Sequence, residues 1–123
     1  EILEKIFRKL LLTLESAQNR RKLSPVLHEL FTETEKIMLA KRLAVVLSLA
    51  GIIPQHRIAE ALFVSPTTVA KISLDMEIGK YDAILSISKS ERVDLEKIIW
   101  ALLTAGGLMP PRIGGQYWRK YKK

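Results

Sequence analysis

Between residues 37 and 50 the chain offers only three polar side chains, Lys41, Arg42 and Ser48. Just ahead, Thr32-Glu33-Thr34-Glu35 has the Thr-x-x-Glu form of a capping box, in which side chains satisfy two orphan amides of a helix start. Gly51 fits the stop at the other end. The segment therefore reads as one helix that is apolar nearly all round, and such a helix has to be buried nearly all round. A chain of 123 residues builds one core of modest size. A single copy is hard pressed to wrap this helix, which is expected to lie in the core of a homodimer.

The segment before it points the same way. Leu3, Phe7, Leu10, Leu14 and Ala17 alternate steps of four and three, and Ile2, Ile6 and Leu11 widen the stripe. So wide a seam on a terminal helix wants a partner. Asn19-Arg20-Arg21-Lys22 closes that helix with cations, which suit its negative end. Ser24-Pro25 then predicts a short second helix, with Ser24 as N-cap, Pro25 at the first position, and Val26, Leu27, Leu30 and Phe31 apolar.

Residues 55–73 carry the most informative pattern. Ile58, Ala59 and Leu62 share one face of a short helix; Ser65 supplies an N-cap and Pro66 a first helical position for the next, where Val69 and Ile72 stand three apart. Two short helices joined by a tight turn, with residues 58, 62, 64, 69 and 72 facing inward, have the layout of a helix-turn-helix. Ala59 is small enough to let the second helix cross close by. Ser65, Pro66, Thr67, Thr68, Ala70 and Lys71 are left for the outer face, short enough for the helix to enter a DNA major groove. Gln55, His56 and Lys71 are placed to meet phosphates. The competing reading is a surface helical hairpin with no nucleic-acid role, and Phe63 favours it, because this point of the turn is usually glycine.

Charge gives the motif little help. Of the net +7, residues 51–75 contribute zero, with two basic and two acidic groups, whereas residues 112–123 hold five basic groups and no acid. A basic balance favours a polyanionic partner. Here it sits in Arg112, Arg119, Lys120, Lys122 and Lys123, interleaved with Tyr117, Trp118 and Tyr121, behind a linker containing Pro110-Pro111 and Gly114-Gly115. This tail is expected to supply phosphate contacts. Between motif and tail, Ile78, Tyr81, Ile84, Leu85 and Ile87 offer apolar contacts and Gly79 marks a turn or a weak helix. Ser88-x-x-Glu91 predicts a capping box for a last helix that buries Leu95, Ile98, Ile99, Leu102 and Leu103 and stops at Gly106-Gly107.

Other chemistries find few residues. There is no cysteine, and the two histidines, His28 and His56, have no convergent partners at metal-ligand spacing. His28 is expected to be a half-buried packing residue. No serine or threonine sits in a nucleophile motif and neither glycine pair forms a phosphate loop. No catalytic residue, metal or cofactor is expected. No apolar run approaches the ~20 residues that span a bilayer, and no secretory pattern opens the sequence. A cytoplasmic protein is expected, and since the sequence opens on Glu1 its natural start is expected upstream.

Three phrases resemble the Trp repressor superfamily. Thr32-Glu33-Thr34-Glu35 looks like that family's Thr-Pro-x-Glu opening. Lys41-Arg42-Leu43-Ala44-Val45-Val46 with Gly51 is similar to its central helix, and Gln55 to Glu60 with Thr67 to Lys71 to its helix-turn-helix. The resemblance implies an all-α helix-turn-helix domain, an intertwined homodimer, and a sequence-specific regulator of transcription, a repressor, that binds double-stranded DNA. Residues 1–105 are assigned to that DNA-binding and dimerisation domain, and 106–123 to the linker and basic tail. The resemblance also places an effector site at Arg42, or Lys41 one residue away, together with Lys71. The tryptophan-binding member grips its corepressor between two arginines. Lysine lacks the planar fork that holds a carboxylate and stacks on an indole, so a tryptophan-like corepressor is not expected. The alternative is a helical module that keeps this fold but binds protein or RNA.

Overall fold

The computed structural model describes residues 1–51 and 53–104. They form seven helices: α1 (Ile2–Asn19), α2 (Leu23–Leu30), α3 (Glu33–Ala50), α4 (Gln55–Leu62), α5 (Pro66–Glu77), α6 (Asp82–Ile87) and α7 (Lys89–Thr104). The fold is all-α, with no strand among the described residues. Two compact units are present, Glu1–Lys36 and Ile37–Lys123, and the boundary falls in the first turn of α3. No helix among the described residues is long and apolar enough to cross a membrane.

In the first unit α1 packs on α2. The reversal between them uses Arg21 in the left-handed region, with φ 58°. That bend starts α2 earlier than Ser24-Pro25 predicts. Lys22 is the N-cap, and its carbonyl accepts the first helical bond from Val26 N–H at 3.1 Å. Ser24 and Pro25 lie inside the first turn, where an amide has no helical partner and proline still loses nothing. Ala17 is buried, but the N-terminal half of the α1 seam is not: Leu3 is 79% exposed and Phe7 58%. His28 is exposed, not half-buried, with Nδ1 2.9 Å from Lys36 Nζ.

The predicted capping box before α3 forms in full. Glu35 N–H donates to Thr32 Oγ1 at 3.1 Å, and Thr32 N–H to Glu35 Oε1 at 2.9 Å. The helix behind it is buried over only part of its apolar length. Ala44 to Ser48 are buried, whereas Met38, Leu39 and Leu43 stay exposed. Ser48 Oγ is buried and finds no hydrogen-bond partner among the described residues. α3 stops at Ala50 as predicted, with Gly51 directly after it in a turn and not at a left-handed φ. A Cβ on it would stand 2.7 Å from Glu96 Oε2 of α7.

One cluster organises the second unit. Val45 and Val46 of α3, Ile58, Ala61 and Leu62 of α4, Val69 and Ile72 of α5, Tyr81 and Ile99 share it, with Ile84, Leu85, Leu95 and Leu103 packed at its edge. Two predicted contacts are missing from it. Ile78, the C-cap of α5, and Ile87, the last residue of α6, are each 81% exposed and lie outside the cluster. Ile98 is exposed too, since the buried stripe of α7 runs through Leu95, Ile99 and Leu103 at four-residue steps. The Leu102 side chain and the predicted stop at Gly106-Gly107 lie outside what is described.

The capping box predicted at Ser88 does not form. Ser88 carbonyl starts α7 by accepting from Arg92 N–H at 2.9 Å, but Ser88 Oγ donates to Ile84 carbonyl at 2.6 Å. Glu91 Oε1 accepts from Ser90 Oγ instead, at 3.2 Å. Helix α6 ends one residue before α7 begins, so its orphan carbonyl competes successfully for the hydroxyl.

Candidate nucleic-acid interface

The turn between α4 and α5 sets the geometry of the site. Phe63 caps α4 with φ 54° and ψ 48°, a left-handed conformation. For an L-residue this costs about 1–2 kcal/mol. Val64 N–H bonds back to Ala59 carbonyl at 3.1 Å, which closes the turn. Phe63 is 44% exposed, so more than half of its surface is covered and packing offsets much of the strain. Glycine removes the strain but carries a chain-entropy penalty of roughly 0.5–1 kcal/mol. Strain relief, chain entropy and lost packing nearly cancel, so Phe63→Gly is expected to leave stability within about 1 kcal/mol of wild type, read as a nearly unmoved denaturant midpoint with unchanged slope. A lower midpoint would show that contacts of the ring outweigh the backbone.

Beyond the turn, Ser65 is the N-cap of α5 and Pro66 its first residue, as the sequence predicts. Ser65 Oγ accepts from Thr68 N–H at 3.1 Å and lies 2.8 Å from Thr68 Oγ1. Two of the predicted groove-facing hydroxyls are thus already joined to each other. Thr67 keeps its hydroxyl clear of any hydrogen bond among the described residues. Val69 and Ile72 are buried beneath, and Pro66, Thr67, Thr68, Ala70 and Lys71 are exposed above. Thr67 and Lys71 stand four apart and so share a face. Leu74, three residues further, is exposed on that face as well. Its spacing from Lys71 was the available signal, and the sequence reading passed over it.

On α4, Ile58, Ala59, Ala61 and Leu62 are buried, which leaves His56, Arg57 and Glu60 along the outer arc. Arg57, also passed over in the sequence, reaches Glu60 at 3.6 Å. An exposed pair of this kind adds little stability, so its guanidinium is held only loosely. Gln55 Nε2 donates to Ser73 Oγ at 3.2 Å and ties the start of α4 to the middle of α5. Arg42 is exposed and Lys41 half-buried, both on α3. Among the described residues neither they nor Lys71 take a hydrogen bond or an ion pair. Arg112, Arg119, Lys120, Lys122 and Lys123 lie outside the described residues.

The family model described as Trp repressor protein matches residues 5–89. The chain belongs to the Trp repressor family. The match spans α1 to the first residue of α7 and takes in the whole helix-turn-helix. No curated protein and no solved structure matches the chain. Members of the Trp repressor family are DNA-binding regulators of transcription and not enzymes. Within the Trp repressor match, α5 has the build of a reading helix: one side anchored by Val69 and Ile72, the other exposed from Pro66 to Lys71.

Proposed function

We propose that the protein is a cytoplasmic homodimeric repressor that recognises a specific sequence in double-stranded DNA. The observation that carries this is the exposed face of α5 within the family match, short and polar at Pro66, Thr67 and Thr68 and cationic at Lys71. Side chains of that size let a helix lie deep in the major groove. Thr67 is assigned to base edges. Lys71, Gln55 and His56 are assigned to phosphates, which fix register without reading sequence. Ser65 and Thr68 serve chiefly as the cap that aims the helix. The basic tail adds sequence-independent attraction, since the motif itself is neutral. Lysine at 71 speaks against a tryptophan-like corepressor.

Selection from a random pool of duplexes tests this directly. A palindromic consensus is expected. Thr67→Ala should shift preference at one base pair by ~1–3 kcal/mol, while Lys71→Ala weakens all sites about equally. Binding to every duplex alike, or to none, would instead assign the fold to protein or RNA contacts.

A further inference from the structure

The α7 helix begins where the family match ends, at Lys89, yet it is built into the motif's core. It packs on α4. Ile99 is fully buried in the same cluster as Ile58, Ala61 and Leu62, flanked by Leu95 and Leu103. Four of the eight residues of α4 are buried, an arc too wide for α5 alone to cover. α7 also meets the end of α3: Glu96 sits so close to Gly51 that a Cβ there would stand 2.7 Å from its carboxylate. The covalent tie between α3 and α4 is only residues 51–54.

We infer that α7 is a brace, and Ile99 its positioning residue, fixing the angle between α3 and the helix-turn-helix. By touching the end of α3 and the inner side of α4 it spans the joint about which the motif would otherwise swing. The functional consequence rests on the homodimeric DNA-binding reading above. If α3 lies in the dimer core, its angle to α4 sets the distance between the two reading helices. A dimer of this class then accepts one half-site spacing, about one DNA turn.

The test compares wild-type protein with Ile99→Ala, Ile99→Val and the milder Leu103→Ala, all full-length. Duplexes carry the selected half-sites at the optimal spacing and at one base pair shorter and longer. The wild type should discriminate sharply. Ile99→Ala should lower that discrimination about tenfold, with base preference inside each half-site unchanged, and Ile99→Val should restore it. Hydrogen exchange of the free protein should show faster exchange of α4 and α5 amides in Ile99→Ala while α3 stays protected. If Ile99→Ala fails to fold, Leu103→Ala must show the same two effects more weakly. Unchanged spacing discrimination together with unchanged α4 and α5 exchange would overturn the brace. Wild-type protein that binds no duplex, with faster α4 and α5 exchange in Ile99→Ala, would sink the DNA reading and leave the brace standing.

Discussion

Ile58→Ala is expected to destabilise the helix-turn-helix strongly. Ile58 has no exposed surface and sits in the cluster that joins α3, α4, α5 and α7. Removing its outer carbons loses transfer energy and leaves a cavity that four helices cannot all close on, so the cost is about 2–5 kcal/mol. A domain of this size has roughly 5–15 kcal/mol in total. Urea denaturation should show the midpoint fall by a large fraction, with DNA binding lost in proportion to the unfolded population. Thr67→Ala, on the exposed side of the same motif, should stay within about 0.5 kcal/mol of wild type. Equal midpoints for Ile58→Ala and Thr67→Ala would contradict the division of this motif into an anchored side and a reading side.

The second large effect concerns α1. The full chain is expected to sediment at twice the 14.0 kDa of one copy. Ile2, Leu3, Ile6, Phe7, Leu11 and Leu12 are all exposed in the single chain. Covering one such side chain is worth roughly 1.5–3 kcal/mol, so together they give a strong reason to associate. Glu1–Lys36 alone is also shorter than the ~40 residues at which a chain begins to fold without help. Leu3→Glu combined with Phe7→Glu should place two charges in the seam and yield a monomer. Two linked reading helices bind far better than one, so affinity for a palindrome should drop by roughly 10²–10⁴-fold. A double variant that remains dimeric would move the interface elsewhere, with Met38, Leu39 and Leu43 of α3 the next residues to charge.

Local chemistry was the legible part of this fold. The Thr32–Glu35 capping box and the Ser65-Pro66 start of α5 are decided within four residues, and both form as the sequence predicts. The apolar spacing of Ile58, Leu62, Val69 and Ile72 likewise marks the buried side of the motif. Errors arose where a distant or competing group intervened. Ser24-Pro25 lost its cap to a left-handed Arg21, and Ser88 gave its hydroxyl to a carbonyl of the preceding helix. The stop of α3 at Gly51 came where the sequence predicts it, but its nearness to Glu96, 45 positions along the chain, could not be read from spacing. At the site, the exposure of Thr67 and Lys71 followed from helical spacing. The Gln55–Ser73 bond did not, because it depends on how α4 and α5 cross.

Ser88 has an architectural consequence. Without a break there, α6 and α7 would run on as one rod from Asp82 to Thr104, about 35 Å long at the usual rise per residue. The break falls at Ser88, the residue between the two helices, whose hydroxyl bonds the Ile84 carbonyl. It lies at the edge of the family match, and the helix that carries Ile99 into the motif's core stands beyond that edge.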